Sequence, residues 1–328
     1  VLGPGSTGTN GTGTRTLGAR LDVTTTKTAS WTGTLTIGTT AYKLTGALNT
    51  SFTNPRGVAT IVRKNGQPTL TLTFDIDVTG TKLLTGTLTD SAPTTASISG
   101  WRLIWNAKTA IPTSRLGAHN IMATIPASLE GDTAHPDIPQ GDSYVTTTVA
   151  TSGTATVKGK AADGTAIATT APMGPTGQFL VYQSMYATTA QGSMIGTPQI
   201  DDTANVHAVT GTLTWSRPVQ AATTKLYQAG WAVPITLDVT GGLYVKPATG
   251  AIVMGARTPP TSVLYNGSIN STITFFSNNG IPSTASVVNP NLDANNTLGE
   301  LNGLRINSPG TVIKPTATNA APLTTTSP

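Results

Sequence analysis

The chain contains no cysteine, which excludes a disulfide, a thiolate metal site and a cysteine nucleophile. Charge is scarce as well. Only 10% of the 328 residues are charged, and the only glutamates are Glu130 and Glu300. The net charge is +5, yet the bases are scattered, with no run longer than Arg63-Lys64. Nucleic acid is therefore not an expected partner. No run of 18 apolar residues occurs, so no membrane-spanning helix is expected. Val1 is not a start methionine and no signal peptide follows it, so we read the chain as a mature product whose export signal has been removed. The sequence also lacks a G-x-S-x-G elbow, a P-loop and an H-E-x-x-H pair.

What fills the space is threonine, about one residue in five, with 35 glycines and 22 prolines. Disorder normally goes with low hydrophobicity and high net charge; here Val, Ile, Leu and aromatics alternate with Thr, which predicts ordered strands. The phrase TGTLT occurs at 32–36, 85–89 and 210–214, and a degenerate copy at 44–48. Because strand side chains alternate, Trp31, Gly33, Leu35 and Ile37 share one face in the first copy. Leu84, Gly86 and Leu88 do so in the second, and Val209, Gly211, Leu213 and Trp215 in the third. These are the predicted core positions. A glycine on such a face leaves a slot that a neighbouring aromatic can fill.

Residues 1–15 are a Gly/Thr arm, followed by the alternating Leu17, Ala19, Leu21 and Val23. A meander is predicted over 31–37, 41–48, 57–63, 68–77, 83–89, 95–106 and 117–125, with turn chemistry at 54–57 and 64–66. Pro126, Pro136 and Pro139 break the pattern, and residues 126–141 read as a connector. A second meander runs from 142 to about 247. Helix is expected to be almost absent.

Four phrases in the second half carry a likeness: GKAADGT (159–165), GTLTWSRP (211–218), YQAGW (227–231) and TGGLYVKP (240–247). In this order they resemble the β-repeat region of large secreted bacterial surface proteins, often labelled autotransporter-like or Ig-like repeat proteins, and the upstream TGTLTIGTTAYKLTGAL (32–48) looks like that group too. The resemblance covers roughly residues 31–250. It implies an extracellular all-β structural region and supplies no catalytic residues.

Chemistry-bearing residues form no expected site. His119, His135 and His207 are far apart in sequence, and Glu130, Asp132, Asp137 and Asp142 lack EF-hand spacing. Asp75 with Asp77 and Asp201 with Asp202 have no aromatic platform behind them. No catalytic, cofactor-binding or metal residue is predicted, no cofactor is expected, and the chain is read as not an enzyme. Five N-x-S/T sequons, at Asn10, Asn49, Asn266, Asn270 and Asn295, are expected from a chain so rich in Asn, Ser and Thr.

The fold class expected is all-β: two consecutive antiparallel β-sandwich or barrel domains with extended N- and C-terminal arms. The division is an arm (1–24), a first domain (25–125), a connector (126–141), a second domain (142–249), a further β segment (250–314) and a low-complexity tail (315–328). The function expected is that of a structural subunit of an extracellular filament or surface assembly at the cell surface. Its partners would be copies of itself, joined by strand addition. Candidate donors are the 17–23 arm, through Leu17, Ala19, Leu21 and Val23, and residues 310–326, through Val312 and Leu323. The alternative is a monomeric adhesin binding host or matrix glycans through loops 108–116, 126–141 and 278–297, with Tyr182 or Tyr186 as the exposed aromatic.

Overall fold

A computed structural model describes residues 18–245 except 65, 91–94, 132–134, 136, 187–190, 203–206, 225 and 232, and also 7–9, 14–16, 272–274, 286–288, 305–306 and 312–313. The chain divides into two compact units, Val1–Leu243 and Tyr244–Pro328. The fold is all-β. Among the described residues there is no α-helix, and two single 3-10 turns, Thr113–Arg115 and Ala127–Leu129, interrupt the strands.

The first unit begins with a short hairpin of β1 (Thr7–Thr9) and β2 (Thr14–Thr16). A meander follows: β3 (Ala19–Thr25), β4 (Ser30–Ile37), β5 (Thr40–Ala47), β6 (Arg56–Ile61), β7 (Leu70–Ile76), β8 (Leu83–Asp90) and β9 (Thr95–Trp101). The run β3-β4-β5 joins the run β6-β7-β8-β9 through an antiparallel bridge, in which Asn49 and Arg56 exchange backbone hydrogen bonds of 2.8 and 3.0 Å. One core serves all seven strands, centred on Trp31, Leu35, Leu72 and Phe74, with Leu88 and Ile98 beside them.

Glycine placement explains how two large rings fit there. Trp31 lies directly across from Gly46, and Phe74 lies between Gly57 on one neighbour and Gly86 on the other. A Cβ on Gly57 would stand 2.2 Å from the Phe74 ring, and one on Gly46 would stand 2.7 Å from the Trp31 indole nitrogen. The rings occupy the space where those side chains would be, and they meet edge to face at 4.9 Å. The slots belong to cross-strand partners as much as to the TGTLT glycines: Gly33 abuts the Asp22 carbonyl.

The second half of this unit is a nearly closed barrel. Its strands are β10 (Gly117–Thr124), β11 (Ser143–Val149), β12 (Thr154–Lys160), β13 (Ala166–Pro172), β14 (Val181–Met185), β15 (Gly192–Gly196), β16 (Gln199–Ile200), β17 (Ala208–Ser216) and β18 (Ile235–Leu243). The order is β13-β12-β11-β10-β18-β17-β15-β14, antiparallel throughout, with β16 on β17. The two ends of that path, β13 and β14, approach one another. Trp215, Phe179, Met173, Met194, Ile167 and Leu213 fill the interior.

Two expectations about organisation are corrected. The strand at 117–125 belongs to the barrel, not to the first domain, since β10 is hydrogen-bonded between β11 and β18. Its apolar face, Ile121 and Ala123, continues the barrel core. Residues 126–141 consequently join two neighbouring strands of one sheet and do not link domains. The strand predicted to reach 106 stops at Trp101, because Trp105 leaves the sheet to donate its indole N–H to the Met173 carbonyl (2.9 Å) and to cover Gly153.

The two halves share a boundary built from Tyr182, Leu180, Ile195 and Ala171, with Trp101 packed against them. Burial raises the Tyr182 phenol to about 12, and its oxygen accepts the Gly38 N–H at 2.9 Å. In the second unit, β19 (Thr272–Thr274) pairs with β20 (Ser286–Val288) and β21 (Arg305–Ile306) pairs with β22 (Val312–Ile313). The strand read over 262–277 otherwise lies outside the described residues.

Candidate functional site

Among the described residues, β3 and β9 each have a hydrogen-bonded neighbour on one side alone. Between them lies a groove. Its wider part, about 350 Å3, is lined by Val23 and Thr25 from β3 and by Ile76, Leu84, Trp101 and Arg102. A narrower part of about 90 Å3 continues past Leu21 and Val23 to Ile98 and Gly100, and ends on Ala171, Pro172 and Leu180 of the barrel. Trp101 is fixed in it by donating its indole N–H to the Pro172 carbonyl at 3.0 Å. At the mouth, Asp77 accepts hydrogen bonds from the backbone and hydroxyl groups of Thr79 and Thr81. These bonds, Thr81's first, hold its carboxyl well below the usual range. The walls are apolar and the rims are unpaired backbone, an arrangement suited to receiving an extended strand.

The donor and core candidates can now be placed. Ala19, Leu21 and Val23 pair with Ile37, Leu35 and Gly33 of their own chain, so they form a wall of the groove and are not available to be donated. Leu17 and Leu323 lie outside the described residues, and Val312 falls in β22. Trp31, Leu35, Leu88, Leu213 and Trp215 are buried. Leu84, Gly33 and Gly86 are half-buried, and Gly211 is exposed.

The phrases that carried the resemblance converge on a second feature. Arg217, from GTLTWSRP, forms a buried ion pair with Asp163, from GKAADGT, their side chains 6% and 1% exposed. Arg217 also donates to the carbonyls of Tyr227 (3.0 Å) and Leu226 (2.8 Å) and lies over the Tyr186 ring at 4.6 Å. Tyr186 donates its hydroxyl proton to Asp163 at 2.7 Å and accepts the Trp215 indole N–H at 2.9 Å. Burial, then the Asp163 charge, pushes the Tyr186 phenol above its ordinary range. Trp231, from YQAGW, meets Trp215 edge to face at 4.5 Å. Every printed polar atom of this network has a partner, so it braces the barrel and offers nothing to a ligand. Tyr182 and Tyr186 are held inside and are not the exposed aromatics of a glycan platform.

The sequence reading missed the Asp163–Arg217 pair. The signal for it was a lone arginine directly after an apolar strand face, two residues beyond a buried tryptophan.

His119 is fully buried, and neither ring nitrogen makes a hydrogen bond of ordinary geometry. Its neighbour across the ladder, Thr147, also has an unpartnered hydroxyl. Burial lowers its proton affinity and nearby His207 lowers it further, against the opposing pull of the Gly117 and Thr147 backbone. The unfolded chain therefore takes up a proton that the folded chain refuses. Stability should be full above about pH 6.5, the unfolded histidine value, and fall as the pH drops below it. Urea unfolding from pH 7.5 to 5 is expected to show this slope, and His119→Leu should flatten it. Among the described residues, no group of three His, Asp or Glu side chains is placed to hold a metal ion. No described helix is long and apolar enough to cross a membrane.

No protein-family model matches the sequence, and no curated protein matches it. Two solved structures are similar in part. A candidate outer membrane protein from Bacteroides fragilis NCTC 9343 is 14% identical over 69% of this chain and 89% of that one, with a TM-score of 0.21. A protein of unknown function from the DUF3598 family of Nostoc punctiforme PCC 73102 is 13% identical over 69% and 88%, with a TM-score of 0.19. Neither likeness bears on function.

Proposed function

We propose that the chain is a structural subunit of an extracellular bacterial surface assembly, joined to its neighbours by β-strand addition. The observation that carries this reading is the groove between β3 and β9, flanked by two strand edges that lack a second neighbour among the described residues. Exposed edges of this kind are templates for another strand, and monomeric proteins normally cover or charge them. The filled barrel and its satisfied Asp163–Arg217 network support a scaffold role. Heavy threonine use fits as well, since it keeps strand propensity high on wet faces without charge repulsion between packed copies.

Val23 lines both parts of the groove, so Val23→Lys places a charge where a strand would pack. Sedimentation and negative-stain microscopy of the full chain should show concentration-dependent assemblies that Val23→Lys abolishes while the circular dichroism spectrum is kept. Monomers at all concentrations, with or without the substitution, would remove strand addition from consideration. Deleting residues 1–24 is no substitute, because it takes away most of β3.

A further inference from the structure

The open sheet is short by one strand, and the direction of that strand is fixed. Every neighbouring pair from β3 to β9 is antiparallel, the Asn49–Arg56 bridge included. Seven strands alternating in direction leave the first and the last parallel. The antiparallel ladder used throughout this unit cannot close β3 on β9 directly, whereas one more strand, antiparallel to both, can. The barrel in the same unit is the comparison: eight strands lie along its path, and its end strands, β13 and β14, run in opposite directions and come together. The strand that would have continued the first meander, β10, is held between β11 and β18.

We infer that the missing eighth strand is supplied by residues 310–314 of a second copy of this chain, inserted between β3 and β9 antiparallel to both. The inference rests on the strand-addition reading above. Of the two arms able to donate, 17–23 is taken up by β3. Residues 310–314, GTVIK, combine β-branched residues with a stop at Pro315, which cannot serve a strand paired on both sides. Five residues span about 17 Å at roughly 3.4 Å each, the length of the β3 stretch 21–25 that borders the groove. Insertion exchanges the two-residue pairing of Val312–Ile313 with Arg305–Ile306 for a longer one on each side. In the antiparallel sense Lys314 comes to the Asp22 end of β3, where that carboxylate is half exposed. The groove and the donor are different surfaces, so the contact is head to tail and propagates.

The absence of cysteine makes the direction testable in the full-length chain. Chains carrying Asp22→Cys and chains carrying Lys314→Cys, mixed and oxidised, should give a disulfide-linked dimer, whereas Thr25→Cys with Lys314→Cys should not. Val312→Asp should suppress the dimer at least tenfold. A dimer through Thr25→Cys in place of Asp22→Cys overturns the antiparallel insertion. An intramolecular bond in a dilute Asp22→Cys, Lys314→Cys double variant overturns the second copy in favour of the chain's own tail. Assembly that Val23→Lys blocks, with no disulfide from either mixture, overturns this donor while strand addition stands. Assembly indifferent to Val23→Lys overturns both.

Discussion

Arg217→Met is expected to lower stability by about 3–5 kcal/mol, the cost of leaving a buried charge without its partner. Asp163 would stay 1% exposed in its side chain, with the Tyr186 hydroxyl as its remaining printed donor. The carbonyls of Tyr227 and Leu226 would lose their donors too. The measurement is equilibrium unfolding in urea, followed by tryptophan fluorescence. Trp215 and Trp231 report on this site directly, since Trp215 donates to Tyr186 and Trp231 donates to the Trp215 carbonyl at 3.1 Å. Replacing both partners, Asp163→Leu with Arg217→Met, should cost less than Arg217→Met alone, because no orphan charge remains. Arg56→Met is the contrast: its pair with Asp75 is partly exposed, and such pairs contribute little.

Phe74→Ala should cost about 3–5 kcal/mol, the usual range for emptying a fully buried aromatic site. The ring is 0% exposed, and both flanking positions, Gly57 and Gly86, lack a side chain that could move into the space. Gly57→Ala in the natural background should also destabilise, because its Cβ meets the ring at 2.2 Å and overpacking typically costs about 1–3 kcal/mol. The two changes are expected to be strongly non-additive. In the Phe74→Ala background the added methyl enters the cavity, so a double-mutant cycle should show a favourable coupling. Equal costs of Gly57→Ala in both backgrounds would mean that the slot is not what holds Phe74.

The predictions share a cause in how period-two sequences work. Alternation fixes which residue faces inward, so the burial of Trp31, Leu35, Leu88, Leu213 and Trp215 was legible along the chain. Glycine among alternating apolar residues likewise announced slots for aromatics. Alternation says nothing about which strand lies beside which. The segments at 95–101 and 117–124 read alike, yet β9 ends the first sheet and β10 enters the barrel. That choice depends on non-local partners, namely the registers of β10 with β11 and β18.

The sequence alone therefore determined the all-β class, the inward faces and the absence of thiol chemistry, because these follow from composition and from a repeat of two residues. Tertiary structure decided the rest. Pairing assigned β10 to the barrel and left seven strands in the first sheet, and parity then made its two edges parallel with a groove between them. Packing brought Asp163, Tyr186, Arg217 and Trp231 together from four separate segments, and it placed Ala19, Leu21 and Val23 in their own sheet. Each of these is a contact across long stretches of chain, where backbone hydrogen bonds and burial choose among strands that are locally equivalent.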